Sequence, residues 1–321
     1  MIQIRELEVD VSMADQFHGS QAENLVPIGD VVAELSREYA DITHSSLRFL
    51  EREGLVRATR TPGGHRLYAP ADINRIRQIK DWQRIRLSLD EIRQRLDELE
   101  RLPEPSRLAS GFLEQALEGD LLAASRTILS ADDVGMPLPT MFGDVLRPAL
   151  IEVGRLWERG ELMVAQEKEI SELARDLIAE LSRRHAAPNP RGPSLVAACV
   201  EGERHELGLR MVCGLLSAKG MKPHYLGANV ASRFLLEAVR AHRPAAILLS
   251  ATLESTLFGA KDAIDVLRAG LAPDPLPPVA VGGEVAIGHA ELLRSWGAIP
   301  RSDLDFMEQL GSAFNVFPDE R

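Results

Sequence analysis

Apolar positions keep a helical interval through the first half of the chain and change to short strand-like runs in its last third. From Ile28 the spacing of Val31, Val32 and Leu35 predicts a helix. A second helix fits Thr43 to Glu53, with Thr43 as N-cap and Gly54 as its stop. Pro62-Gly63-Gly64 then marks a turn between short arms carrying Thr59, Arg60, Leu67 and Tyr68, a two-stranded ribbon. Pro70 opens a third helix to about Arg86. Ser88 caps a fourth, with Leu89, Ile92, Leu96 and Leu99 on one face, and Pro103-Glu104-Pro105 reads as a linker. Residues 1–24 show no period and read as a flexible arm.

Four helical stretches follow, near Leu108–Glu118, Leu121–Ala131, Pro139–Arg159 and Val164–His185, with no strand pattern between them. A four-helix bundle is their natural packing. Residues 186–193 form a second linker. Beyond it, apolar runs at Leu195–Val200, Pro223–Gly227, Ala245–Ser250 and Pro277–Gly283 alternate with helices near His205–Lys219, Ser232–His242 and Ser255–Gly270. Apolar strands alternating with helices imply a parallel sheet covered on both faces, in a flavodoxin-like (Rossmann-type) order with ligands at the C-terminal strand ends. The fold class is multidomain, α then α/β, with expected domains at 25–102, 107–185 and 193–321.

Composition narrows this. A chain of 321 residues with 45% apolar content has room for two or three domains and is not wholly disordered. The apolar stretch Pro244–Leu253 has about half the length of a membrane span. The first residues lack the basic start and apolar core of a secretory signal, so a cytoplasmic protein without a membrane partner is expected. Cys199 and Cys213 lie in apolar segments and read as buried, neither disulfide nor zinc site. The net charge is −11, yet Thr43–Arg86 holds ten Lys and Arg against four acids. That segment carries +6 and the remainder −17. A basic head on an acidic body directs attention to nucleic acid.

The run Leu47–Tyr68, LRFLEREGLVRATRTPGGHRLY, resembles the winged helix-turn-helix of the MerR family over about residues 25–100. Recognition helix, glycine stop, ribbon wing and a helix opening at Pro70 appear in the family's order. Thr43, His44, Ser45 and Ser46 are short enough to let a helix start enter the major groove. Arg48 and the wing residues Arg60, His65 and Arg66 can reach phosphates, and Tyr68 can donate to one. The segment Arg37–Ile42 is longer than the family's usual turn. MerR-type metal sensors carry effector cysteines beyond a long dimerising helix. Here that helix ends near Leu102 and no cysteine follows it closely, so a metal sensor and a coiled-coil dimer are not expected.

Glu203 and His205 to Gly208 stand after the first strand run, Ser250 and Thr252 at the end of the third, and Gly282-Gly283 at the end of the fourth. Together they resemble the cobalamin-binding domain of methionine synthase and corrinoid proteins, over about residues 193–313. The resemblance implies that His205 is the lower ligand of cobalt, with the carboxylate of Glu203 on its other ring nitrogen. The family's usual residue there is Asp, one methylene shorter. It further implies that Gly208 leaves room for the nucleotide tail, that Ser250 and Thr252 bond the buried base, and that Gly282 and Gly283 let the tail pass close to backbone. Trp157 and Glu167, separated by nine residues, resemble the W-x9-E-H signature of the light-responsive, adenosylcobalamin-dependent repressors of the CarH and LitR type. There the bundle caps the upper face of cobalamin and these two residues touch the adenosyl group. The signature's His is Lys168 here, and Glu158 stands after Trp157 where light-sensing members have a cobalt-ligating His.

The resulting expectation is a non-enzymatic transcriptional regulator, with cobalamin (adenosylcobalamin first) as effector and double-stranded operator DNA as partner. The resemblance implies a homo-oligomer, a tetramer in the dark holo state, that represses and is released by light. Two alternatives stand beside it: a corrinoid methyl carrier, and a regulator with a relict pocket that answers to a protein partner.

Overall fold

The structure is a computed structural model that describes residues 25–300 apart from residues 37 and 62 and the side chain of residue 287. The expected N-terminal arm, the proline of the wing turn and residues 301–321 lie outside the described residues. The chain divides into two compact units, Met1–Glu98 and Leu99–Arg321.

In the first unit, β1 (Val26–Pro27) leads into α1 (Ile28–Leu35), then α2 (His44–Arg52), β2 (Thr59–Arg60), β3 (Arg66–Tyr68), α3 (Pro70–Arg84) and the start of α4 (Leu89–Arg101). Thr43 caps α2: it accepts from the Ser46 N–H at 3.1 Å, while the Ser46 hydroxyl accepts from the Thr43 N–H at 2.8 Å. Gly54 ends the helix at φ +72°, a conformation that favours glycine. The ribbon has three strands rather than two, because Val26 pairs with Tyr68 and Pro27 with Leu67. Two residues are too short to show alternation, so the pattern misses β1. The long turn between α1 and α2 is fastened from below. Tyr39 and Ile42 are buried, the Tyr39 hydroxyl donates to Asp81 at 3.0 Å, and Lys80 reaches Asp41 at 2.5 Å.

In the second unit, α5 (Pro105–Leu117), α6 (Leu121–Asp133), α7 (Leu138–Thr140), a π-helical stretch (Met141–Leu146), α8 (Arg147–Glu158) and α9 (Val164–His185) share a core of Phe112, Ile128, Phe142, Leu146, Ile178 and Leu181. Pro105 begins α5, so the linker expected at 103–105 is a three-residue turn. The helix expected across Pro139–Arg159 widens in its middle, where Arg147 N–H bonds back five residues to Phe142. Pro148 follows and has no N–H to give the preceding turn, which favours the wider winding.

The α/β part runs β4 (Ser194–Cys199), α10 (Leu207–Ala218), β5 (Lys222–Tyr225), α11 (Ser232–His242), β6 (Ala246–Ser250), α12 (Glu254–Leu271), β7 (Val279–Gly282), α13 (Glu284–Gly288), α14 (Ala290–Ser295) and β8 (Ile299–Pro300). The sheet is parallel in the order β5-β4-β6-β7-β8. This is a doubly wound order with a switch point at β4/β6. Val196, Ala198, Ile247, Leu249 and Val281 face α11 and α12; Leu195, Ala197, Cys199, Leu248 and Ala280 face α10. The fifth strand and the two short helices before it are additions to the sequence pattern. Both cysteines are free and buried. Among the described residues no helix is long and apolar enough to cross a membrane.

Helix α10 is covered on two sides. Leu209, Cys213 and Leu216 meet the sheet, whereas Met211 and Leu215 meet the α9 side. Gly214 permits the close approach: a Cβ there would stand 2.2 Å from the Ser182 hydroxyl and 3.1 Å from the Phe142 ring. That hydroxyl is buried without a hydrogen-bond partner. Gly214→Ala is expected to cost about 1–3 kcal/mol by overpacking. Adding Ser182→Ala should recover part of the loss, because it removes the atom in the way. Urea midpoints of the two single variants and the double variant check this; strictly additive losses would contradict the contact.

Candidate functional site

Strand register brings the C-terminal motifs level. Cys199 pairs with Ser250, and Ser250 with Gly282, so the segments after β4, β6 and β7 leave the sheet side by side. Beneath them lies Glu203, 0% exposed. Its Oε1 accepts from the His205 ring Nδ1 at 2.7 Å and from the His205 backbone N–H at 2.8 Å. Its Oε2 accepts from the Thr252 N–H at 2.5 Å and the Thr256 hydroxyl at 2.9 Å. Burial alone would raise this carboxyl, but the four hydrogen bonds outweigh it and hold the pKa down to about 2. The Glu203 hydrogen bond in turn raises the basicity of the His205 ring.

The His205 side chain is 59% exposed. With Nδ1–H given to a carboxylate, Nε2 carries the lone pair, the arrangement in which an imidazole binds a metal. No hydrogen bond engages Nε2 among the described residues. Gly208 has open space where a Cβ would project. Gly283, at φ +108°, runs so close to Ala251 that a Cβ would sit 2.0 Å from its carbonyl oxygen. Gly282 ends β7, and Ser250 is buried at the end of β6 with its carbonyl accepting from Val200. An open groove of about 400 Å³ continues from Thr252 along Leu253, Glu254, Glu284, Val285, Gly288 and His289.

Trp157 is the penultimate residue of α8 and is 47% exposed. Glu167 lies in the first turn of α9, where it accepts from the Ser171 hydroxyl at 2.7 Å and pairs with Lys168 at 2.9 Å. The Glu167 charge favours and the Lys168 charge opposes protonation of the His205 ring. Glu158 is exposed.

In the head, Thr43, His44, Ser45, Arg48, Arg60 and His65 are exposed. Thr43 is engaged as the α2 cap. Glu51 of α2 accepts from Arg66 at 2.5 Å and from Arg60 at 3.1 Å, clamping the β2–β3 ribbon to the helix. Tyr68 corrects an expectation: it is 0% exposed and its hydroxyl is buried without a partner, so it is not placed to donate to a phosphate. The alternation of β3 turns it inward. Sequence reasoning also missed Glu51, Thr256 and Glu206. Thr256 accepts from the Leu253 N–H at the start of α12, but a leucine cap gives no sequence signal that would have pointed to it.

Residues 32–99 match the family model described as MerR HTH family regulatory protein, and residues 108–182 and 193–300 match two models described as B12 binding domain. The HTH-type transcriptional repressor CarH of Myxococcus xanthus is 32% identical over 270 residues, covering 79% of this chain and 89% of that protein. The HTH-type transcriptional repressor CarA of the same organism is 31% identical over 264 residues, covering 80% and 88%. The monomethylamine corrinoid protein of Methanosarcina barkeri shares the fold of the second unit, with a TM-score of 0.53 at 19% identity over 65% of this chain and 100% of that one. Fold and site together define a MerR-type helix-turn-helix head joined to B12-binding domains. The chain belongs to the family of MerR-type, B12-binding repressors that includes CarH and CarA.

The depressed Glu203 pKa fixes a sign. Its stabilisation is complete above about pH 4.3, the ordinary glutamate value, and is lost as pH falls toward about 2. A shift of this size corresponds to about 3 kcal/mol. Unfolding free energies of wild type and Glu203→Gln should therefore draw together by about that amount between pH 5 and pH 2. Parallel curves would contradict the saturated-carboxylate picture.

Proposed function

We propose that this chain is a transcriptional repressor whose effector is cobalamin. The observation that carries the reading is the Glu203–His205 pair, a preset imidazole with a free Nε2 at level strand ends, in a chain that begins with a MerR-type head. The residues fit the group. His205 would take the lower face of cobalt, with Glu203 fixing its tautomer. Gly208 and the groove beside Thr252 would admit the nucleotide tail, and Ser250, Gly282 and Gly283 would line its passage. Cobalamin supplies a cobalt–carbon bond that light can break when an alkyl group is the upper ligand. Trp157 and Glu167 would hold that group, with adenosylcobalamin the first choice.

The parts are read as a winged helix-turn-helix over 25–102, a four-helix bundle cap over 107–185 and a cobalamin domain over 193–321. The working form is a soluble homo-oligomer on double-stranded operator DNA, a tetramer in the dark holo state. Elution volume of holo protein in the dark and after green light tests this, and an unchanged volume would remove light as the signal. The fold likeness to a corrinoid protein favours a methyl carrier as the second reading, but it leaves the basic head without a task. Protein that binds cobalamin and retards no promoter fragment would be a carrier.

His205→Ala should weaken cobalamin binding at least 10-fold and change the visible spectrum of any bound cofactor. Unchanged affinity and spectrum would sink the ligand assignment.

For DNA, the exposed cations of the head include Arg48 and Arg57. Each phosphate contact contributes about −0.9 to the log–log salt slope. Arg48→Ala and Arg57→Ala should each flatten the slope by about one, whereas Tyr68→Phe should leave it unchanged. A flattened slope in Tyr68→Phe would show that the wing opens on DNA.

A further inference from the structure

Side chains of α3 hold the extended turn between α1 and α2 at successive points. Within the turn, Tyr39 is 6% and Ile42 3% exposed, so both face inward. The Tyr39 hydroxyl donates to Asp81 Oδ1 at 3.0 Å, and the Arg84 guanidinium lies over the Tyr39 ring, 5.4 Å from its centroid. Lys80 is 4% exposed, and its ammonium donates to Asp41 Oδ2 at 2.5 Å and to Gln83 Oε1 at 3.0 Å. Arg77 donates to Glu38 at 3.2 Å and also pairs with Glu34 near the end of α1. Thr43, two residues after Asp41, is the cap of α2. The far end of α2 is held as well: Arg75 Nε donates to the Leu55 carbonyl at 2.7 Å, and Arg93 donates to the Glu53 carbonyl at 3.2 Å.

A longer turn leaves the helix after it more freedom, and each anchor removes some of that freedom. Lys80 is the strongest of them. A buried ammonium without a counter-charge is costly, and Asp41 supplies the charge from a side chain that is itself 73% exposed. Moving the turn away would strand Lys80, so the turn stays with α3. The two parts of DNA binding depend on the pose of α2 differently. Phosphate attraction reaches over several ångströms and tolerates a tilt, whereas hydrogen bonds to base edges need the helix start in register. An altered pose therefore lowers selectivity before it lowers affinity for DNA in general.

We propose that Tyr39, Asp41, Lys80 and Asp81 are positioning residues that set the pose of α2 and so decide how sharply the head separates its operator from other DNA. The inference rests on the reading of α2 as the helix that enters the major groove. It gives the extended turn a task, and it takes Lys80 out of the set of cations that bind phosphate.

The test uses the full chain in the dark with adenosylcobalamin present. Duplexes that the wild type prefers are selected from a random-sequence library. Dissociation constants are then measured for the best of them and for a scrambled duplex of the same composition. Asp41→Asn combined with Lys80→Met removes the contact without changing the net charge. In this double variant the preference for the selected duplex should fall about 10-fold, the weight of one base contact. Affinity for the scrambled duplex and the log–log salt slope should stay as in the wild type. Tyr39→Phe keeps the buried ring and removes only the hydroxyl. It should lower the preference in the same direction, and it gives a result even where the double variant does not fold. Ile92, 0% exposed in the same unit, supplies the control for lost stability. Ile92→Val should lower the melting temperature and leave the preference unchanged. An unchanged preference in both clamp variants, an equal loss on both duplexes, or a preference that falls as far in Ile92→Val overturns the proposal and makes the clamp a plain stabilising contact. A salt slope flattened by about one in the double variant makes Lys80 a phosphate contact and also overturns it. Wild-type protein that binds DNA but enriches no duplex overturns the reading of α2, and wild-type protein that binds no duplex overturns the DNA-binding reading itself.

Discussion

A carboxylate sealed from water must either take up a proton or find donors for its lone pairs. Glu203 finds four, and they come from three places: the ring and backbone of His205, the backbone after β6, and the first turn of α12. Its own carbonyl accepts from the Asn229 N–H beyond β5, and the Asn229 side chain returns to the Gly202 N–H at 2.7 Å. The loops leaving β4 and β6 are thereby held around one charge, and the Glu203 carbonyl adds the loop leaving β5. The parallel register makes this possible by ending β4 and β6 level. The charge makes the register consequential, because it is the anchor common to both loops.

The same loop connects to the helical part through α10. That helix is buried against the sheet on one side and against α9 on the other, with Gly214 at the closest approach. A bundle and a sheet joined by a mobile linker could shift independently. Here the 186–193 segment spans two bodies already fastened by α10 and by the Arg175–Glu206 pair. The helical part and the sheet thus share a packed interface along α10.

Much of this was legible in the sequence, and the exceptions follow a physical rule. Helix α11 falls at Ser232–His242 where the apolar period places it, because one strongly amphipathic face repeats over three turns. The four apolar runs became strands within a few residues of their expected ends. What the pattern missed is short or geometric. Strands β1 and β8 have two residues each, fewer than one alternation. The π stretch before Arg147 depends on which carbonyl each N–H selects. Motif residues such as His205 announce themselves by type and spacing. Glu206, Arg175 and Glu51 do not, because a charged residue becomes a clamp only when the fold brings its partner from far along the chain.

Glu203 shows why a departure from a family pattern can be read from geometry. With Asp at this position the carboxylate would lie one methylene nearer its own backbone. Here it must reach His205 two residues onward and, through its second oxygen, the Thr252 N–H and Thr256 hydroxyl across the strand gap. The longer side chain lets one oxygen serve the histidine while the other serves the start of α12. The tautomer of the imidazole and the position of the neighbouring loop then depend on the same group. The shorter acid, with its carboxylate drawn toward its own backbone, would have to lengthen its contacts with the histidine or with the Thr252 and Thr256 donors unless the loop moved with it.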